Sequence, residues 1–224
     1  MKACPCVLAG LVALAVAGCG GDEDSEASAT TAAATTASVA SGCRRVSQPP
    51  PKGAGRRRAP TQRLTARTRY RLNFRTSCGS FTVTLDQRSA PRTTASLVAL
   101  ARARFFDRTV FHRIVPNFVI QGGDPTGTGM GGPGYKTVDR PRQTARYTRG
   151  VVAMAKTATE PAGTSGSQFF VVTAELAQLP PDYAIVGRVT AGSEVVQRIG
   201  RLGDPSTEQP LQPVVVERVT VATS

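Results

Sequence analysis

The sequence predicts a mainly β domain of eight strands and two helices, closed into a barrel. Three observations carry this. Tyr70-Arg71-Leu72-Asn73-Phe74 and Phe81-Thr82-Val83-Thr84-Leu85 alternate apolar and polar residues around Ser77-Cys78-Gly79-Ser80, the pattern of a hairpin. Six further β-type segments follow at 110–115, 118–122, 150–155, 168–173, 184–190 and 213–222. Only two stretches have helical spacing: one opens at Pro91 and places Thr94, Leu97, Val98, Leu100 and Ala101 on one face, the other lies near 193–200. So many short strands in about 155 residues favour closure over an open sheet.

Ahead of this domain the 224-residue chain changes character twice. Val7 to Ala17 is an apolar run behind Lys2, too short for about 30 Å of hydrocarbon but suited to the core of a signal peptide. It ends in Val16-Ala17-Gly18-Cys19, which matches a bacterial lipobox. Residues 1–18 are thus predicted to be a lipoprotein signal, with Cys19 receiving a diacylglycerol whose two acyl chains suffice for stable anchoring. This places the protein on the extracytoplasmic face of the cell membrane. Residues 19–67 read as a tether: an Ala/Ser/Thr run from Ser25 to Ser41 that cannot bury enough apolar area to order itself, then a basic segment.

Eleven basic residues and no acidic one fall between Arg44 and Arg75, and residues 44–224 carry 27 basic against 11 acidic side chains. Such an arm is either a solvated linker or a contact for anionic lipid or wall polymer. Nucleic acid is not predicted as a partner, since no nucleic-acid-binding motif accompanies the charge. With Cys4 and Cys6 removed and Cys19 lipidated, Cys43 and Cys78 remain as a candidate disulfide that would pin the arm to the first hairpin. The alternative is two free thiols.

The inventory of reactive side chains is short. One His and no paired C-x-x-C spacing exclude a structural zinc site, so neither metal nor cofactor is predicted. Asp124-Pro125-Thr126-Gly127-Thr128-Gly129-Met130-Gly131-Gly132-Pro133-Gly134 lacks the G-K-[ST] ending of a phosphate-binding loop and reads as a groove wall. His112 is better explained as a packed structural residue than as an acid or base, and Cys78 has no constellation to activate it as a nucleophile.

Phe111 to Asp124, F-H-R-I-V-P-N-F-V-I-Q-G-G-D, resembles the signature of the cyclophilin family of peptidyl-prolyl cis/trans isomerases. Met154-Ala155 with Gly166-Ser167-Gln168-Phe169-Phe170 is similar to the family's second pocket-forming segment, and Tyr183 to Val189 to the strand after its active-site loop. The resemblance spans residues 68–222. It implies an eight-stranded antiparallel barrel capped by two α-helices, with a groove on the outside that takes proline-containing polypeptides.

An Xaa-Pro amide resists rotation with a barrier of about 18–20 kcal/mol because twisting removes resonance. No covalent step is needed to lower it, only tighter binding of the twisted state. The twisted imide nitrogen regains a lone pair, so a fixed guanidinium beside it stabilises the transition state alone. By motif position the resemblance gives this role to Arg113. It further implies that Phe118, Val119, Phe170 and Leu179 line the proline pocket, that Gln121 bonds substrate backbone, that Ala155 and Lys156 offer main-chain contacts, and that Tyr183 sits on the rim. Val119 replaces the Met of many members. Gln178 stands where many eukaryotic members carry the Trp associated with cyclosporin binding, so the resemblance does not extend to inhibitor affinity, and catalysis need not depend on that position. The loop from Lys156 to Ser165, with Glu160, Pro161 and Gly163, is longer than in the shortest members and bears on substrate access. Taken singly, Phe111, Phe118, Phe169 and Phe170 are ordinary core residues; Phe169 belongs to the core because it alternates with Phe170 along one strand. A proline-peptide binding module or holdase would need the pocket but not the guanidinium, and a wall- or lipid-binding protein would need only the arm.

Overall fold

A computed structural model describes residues 42–224; the signal segment, Cys19 and the Ala/Ser/Thr run lie outside the described residues. The strands in chain order are β1 (Tyr70–Thr76), β2 (Gly79–Leu85), β3 (Thr109–Val110), β4 (Arg113–Val115), β5 (Val119–Gly122), β6 (Thr137–Val138), β7 (Tyr147–Thr148), β8 (Val151–Met154), β9 (Thr164–Ser165), β10 (Phe169–Val172), β11 (Leu176–Ala177), β12 (Ile185–Ala191) and β13 (Val215–Thr223). Helix α1 (Pro91–Arg102) follows β2, and α2 (Ser193–Gly200) follows β12. Nine strands form one antiparallel sheet in the order β3-β13-β1-β2-β12-β8-β10-β5-β4, while β6 pairs with β9 and β7 with β11.

Seven of the eight predicted strands are present as single elements, the eighth is divided, and the barrel is not fully closed. The segment read as one strand at 110–115 is split: Val110 and Thr109 pair with Val215 and Val216 of β13, whereas Arg113, Ile114 and Val115 pair with Gln121, Ile120 and Val119 of β5. The chain thus leaves one edge of the curled sheet and joins the other across Phe111-His112. Beyond this point Ile114 N–H donates to the Glu208 carbonyl, 2.8 Å away. The short strands β6, β7, β9 and β11 have too little alternation to be read from sequence.

Period-two alternation explains why this sheet buries both of its faces. Phe169 and Val171 of β10, Val152 and Met154 of β8 and Ile120 of β5 point into the main core with Phe74, Phe81, Phe106 and Phe111. Phe169 is the hub, with ring centroids 5.3 Å from Phe74 and 6.1 Å from both Phe106 and Phe111. The alternate residues Phe170, Val172, Val151, Ala153 and Val119 form a second cluster on the outer face with Tyr147 and Ala177. That outer cluster is the floor of the site described below.

Proline opens α1, but no local side chain caps it; instead Asp139 Oδ2 accepts from Arg92 and Thr93 N–H at 3.0 and 2.7 Å. A carboxylate there satisfies orphan donors and complements the helix dipole. Helix α1 packs on β13 and β6, and α2 on β2, β4 and β5.

The basic segment does not run free of the domain. Cys43 and Cys78 are joined in a disulfide, and Lys52, Gly55 and Arg57 donate backbone hydrogen bonds of 2.8, 2.8 and 2.9 Å to the carbonyls of Pro125, Gly132 and Pro133. Lys52 Nζ donates to the carbonyls of Phe105 and Asp107, and the Arg57 guanidinium lies 5.7 Å over the Phe105 ring. Gly55 and Gly134 allow this approach: a Cβ on either would overlap the other strand's backbone. Arg56, Arg57 and Arg58 stay exposed.

Candidate active site

One outer-face cavity of about 150 Å³ is lined by Arg113, Phe118, Val119, Gln121, Ala155, Lys156, Phe170, Leu179 and Tyr183. Every residue predicted for catalysis or substrate contact therefore borders one space. Strand register does most of the gathering. Arg113 on β4 is paired with Gln121 on β5, which is paired with Phe170 on β10, itself paired with Ala153 on β8. Neighbouring strands lie about 4.8 Å apart, so Arg113, Gln121 and Phe170 stand in a row across the sheet.

Loops supply the rest. Asn117 takes a φ of 55°, turning the chain between β4 and β5 so that Phe118 comes to the rim. The Phe118 carbonyl accepts from Thr173 and Ala174 N–H at 2.9 and 3.3 Å, which anchors the turn to the end of β10. Tyr183 is held from beneath by the buried Tyr147, whose hydroxyl donates to the Tyr183 carbonyl at 2.8 Å and accepts its N–H at 3.0 Å. Burial pushes the Tyr147 phenol up to about 12, so it stays a neutral donor throughout the physiological range. Phe170 and Tyr183 meet edge to face at 5.5 Å, and Lys156 Nζ lies 5.6 Å from the Tyr183 ring centre.

A polar chain borders this apolar floor. Glu208 accepts from Arg113 Nε at 2.7 Å, Arg113 Nη1 reaches Gln121 Oε1 at 3.4 Å, and Gln121 Nε2 donates to Gln168 Oε1 at 3.1 Å. Gln168 Nε2 in turn donates to the carbonyls of Gly129 and Gly131 at 2.8 and 2.9 Å. Those glycines belong to the loop predicted as a groove wall, and with Met130 and Gly132 they line an adjoining cavity of about 130 Å³. Across it Lys136 Nζ pairs with Glu160 at 2.7 Å, and Glu160 also accepts from Thr157 N–H at 2.7 Å. Burial opposes ionisation of Glu160, but these bonds outweigh it and hold its carboxyl below the usual range.

The family-model comparison matches residues 71–221 to the cyclophilin type peptidyl-prolyl cis-trans isomerase family. The chain belongs to that family. Peptidyl-prolyl cis-trans isomerase-like 1 of Emericella nidulans is 39% identical over 154 residues, covering 67% of this chain and 93% of the relative. Peptidyl-prolyl cis-trans isomerase CYP18-2 of Arabidopsis thaliana is 38% identical over 154 residues, covering 67% and 92%. A crystal structure of a Cryptosporidium parvum cyclophilin type peptidyl-prolyl cis-trans isomerase, obtained in the presence of the dipeptide Ala-Pro, superposes with a TM-score of 0.63 at 28% identity, covering 69% of this chain and 99% of that one.

His112 sits outside the isomerase cavity. It borders a different space of about 420 Å³ with Gln48, Val110, Gln209 and Leu211. Burial depresses its pKa against the pull of Asp124, with Arg113 adding to the depression, so the ring is neutral near pH 7. Sequence reasoning assigned no role to Glu208, Tyr147, Lys136 or Gln168. Gln168 lies inside a quoted family block, but Glu208 stands 95 residues from Arg113 and carries no local signal.

Proposed function

We propose that the Arg113 cavity binds proline-containing polypeptides and accelerates rotation of the Xaa-Pro bond. The observation that carries this reading is a guanidinium held at the edge of an apolar floor with its Nε committed to Glu208. Phe118, Val119, Phe170 and Leu179 grip the proline ring, Gln121 and the backbone of Ala155 and Lys156 hold the preceding segment, and the Arg113 Nη donors meet the imide nitrogen as it pyramidalises. Because that lone pair exists only in the twisted state, the contact lowers the barrier without tightening ground-state binding.

The clients in this proposal are exported proteins whose folding waits on prolyl isomerisation, tens of seconds or longer when uncatalysed. Two features support that setting: the lipobox at Cys19, which calls for a lipid anchor on the extracytoplasmic face, and the Cys43–Cys78 disulfide, which suits an oxidising compartment. The exposed arginines of the arm add an electrostatic contact with anionic lipid or wall polymer.

The test is exchange NMR on a short Xaa-Pro peptide, comparing the mature chain with Arg113→Ala. A loss of at least about tenfold in rate, roughly 1.4 kcal/mol of transition-state stabilisation, is expected. A folded wild-type protein that binds the peptide without accelerating exchange would make the groove a binding module. Mass spectrometry of the N-terminal peptide checks the anchor: it should carry a diacylglycerol that Cys19→Ala abolishes.

A further inference from the structure

We propose that Glu208 is a positioning residue for the reaction, aiming the Arg113 guanidinium into the cavity before substrate arrives. This rests on the reading of Arg113 given above. The segment that carries Glu208 is built around Asp204, whose Oδ1 accepts from Ser206 and Thr207 N–H at 2.7 and 3.1 Å. Asp204 N–H donates to the Gln209 carbonyl and Glu208 N–H to the Asp204 carbonyl, both at 2.8 Å. Within this turn Glu208 takes a φ of 58°, in the left-handed region that side chains with a Cβ rarely adopt.

That conformation lets one residue hold β4 twice. The Glu208 carbonyl receives Ile114 N–H at 2.8 Å, at the place where β4 has left β13, and its carboxylate receives Arg113 Nε at 2.7 Å. A glycine would take the same φ freely and keep the first contact, but would bring no carboxylate. The Nε bond orients the planar fork on one side while the longer Nη1 contact with Gln121 meets it on the other, and the remaining Nη hydrogens are left for the cavity. Arginine has many rotamers, and fixing one in advance removes an ordering cost from the transition state.

The carboxylate also acts in the opposite sense. A negative charge beside the guanidinium lowers the potential felt by the imide nitrogen, so an effect of charge alone makes its removal speed the reaction. Both side chains are well solvated, Arg113 at 36% and Glu208 at 45% exposure. Screening therefore weakens the charge effect, whereas orientation through a 2.7 Å bond persists. The net effect of Glu208 is assistance.

Glu208→Gly is the informative variant because it relieves the backbone while deleting the carboxylate. Its melting temperature should equal or exceed wild type, while kcat/KM for a short Xaa-Pro peptide, read by exchange NMR, falls about tenfold with peptide Kd within about twofold. Glu208→Gln keeps an acceptor for Nε and should recover activity to within about threefold. Placed on Arg113→Ala, and measured at enzyme concentrations that resolve the residual rate, Glu208→Gly should cost nothing further. A Glu208→Gly enzyme as fast as wild type or faster overturns the proposal, as does an equal loss in the Arg113→Ala background. An Arg113→Ala chain of undiminished activity overturns the reading of the site itself, whereas an inactive Arg113→Ala beside a fully active Glu208→Gly overturns only the role of Glu208.

Discussion

Asp124 connects the stability of the groove wall to its shape, and Asp124→Ala is the perturbation that exposes the connection. The carboxylate is fully buried and accepts five hydrogen bonds: Oδ1 from Thr126 N–H at 2.7 Å and Thr126 Oγ1 at 2.8 Å, Oδ2 from the N–H groups of Thr128, Gly129 and Gly131 at 3.1, 2.6 and 3.2 Å. Truncation strands four backbone donors, each worth about 1–3 kcal/mol when buried. The loop is only half-buried and water can reach some of them, so the lower part of that range applies, roughly 3–5 kcal/mol in all. For a chain of this size that is a fall in Tm of roughly 6–20 °C. Asp124→Asn should rescue only part of this, because its single oxygen serves one set of these donors while its NH₂ faces backbone N–H of the other. A Cβ on Gly131 would collide with the same carboxylate, so the loop is wrapped as closely as glycine permits.

The pH dependence sharpens this test. Burial alone would raise the Asp124 pKa, but hydrogen bonds from Thr126, Gly131 and Gly129 outweigh it and hold it below the ordinary value of about 3.8. A depressed carboxylate contributes stability that is complete above its unfolded pKa and is lost as pH falls through the lower folded pKa. The gap between wild type and Asp124→Ala, measured by urea denaturation, should therefore be constant from neutral pH down to about pH 5 and shrink below about pH 4. Since Gln168 Nε2 is anchored on the Gly129 and Gly131 carbonyls, the variant should also lose isomerase activity at temperatures where it is folded. A Tm within about 2 °C of wild type would refute the reasoning, because it would mean that water replaces all four bonds without cost.

Two other outcomes follow from the same structure. Tyr147→Phe removes the hydroxyl that both donates to and accepts from the Tyr183 backbone; it should cost about 1–2 kcal/mol of stability and raise peptide Kd several-fold with kcat little changed, as peptide titration will read. Reducing the Cys43–Cys78 bridge, whose partners are 35 residues apart, removes about 3–4 kcal/mol of chain-entropy restraint on the arm; tryptic cleavage at the exposed Arg56, Arg57 and Arg58 should then quicken by at least about tenfold, and equal rates would mean that the backbone bonds of Lys52, Gly55 and Arg57 hold the arm unaided.

The site was legible in the sequence through the resemblance of 111–124 and 166–170 to a known signature, which named Arg113, Gln121 and Phe170 by motif position. Alternation along one strand separated Phe169 from Phe170 in the sequence, whereas the register that aligns Arg113, Gln121 and Phe170 is set by pairings only the structure shows. Tyr147 was not legible because its two-residue strand β7 alternates too briefly to declare a face, and its partner Tyr183 lies 36 residues away. The Cys43–Cys78 pin was legible from the cysteine count, but the docking of the arm beyond it was hidden for another reason. Its composition is that of a solvated linker, and much of what holds it is backbone hydrogen bonding to a glycine-rich loop, which no side-chain pattern announces.

The break in the predicted 110–115 strand connects the fold to its chemistry. The pairing with β13 ends at Val110, and from Arg113 onward the chain pairs with β5 instead. On the edge of β4 away from β5, Ile114 N–H meets the Glu208 carbonyl, and the same loop delivers a carboxylate to the guanidinium. Incomplete closure of the barrel is in this sense part of the site. The strained φ of Glu208 falls where sheet edge, loop and guanidinium meet, and observed strain of that kind is a reason to look for function.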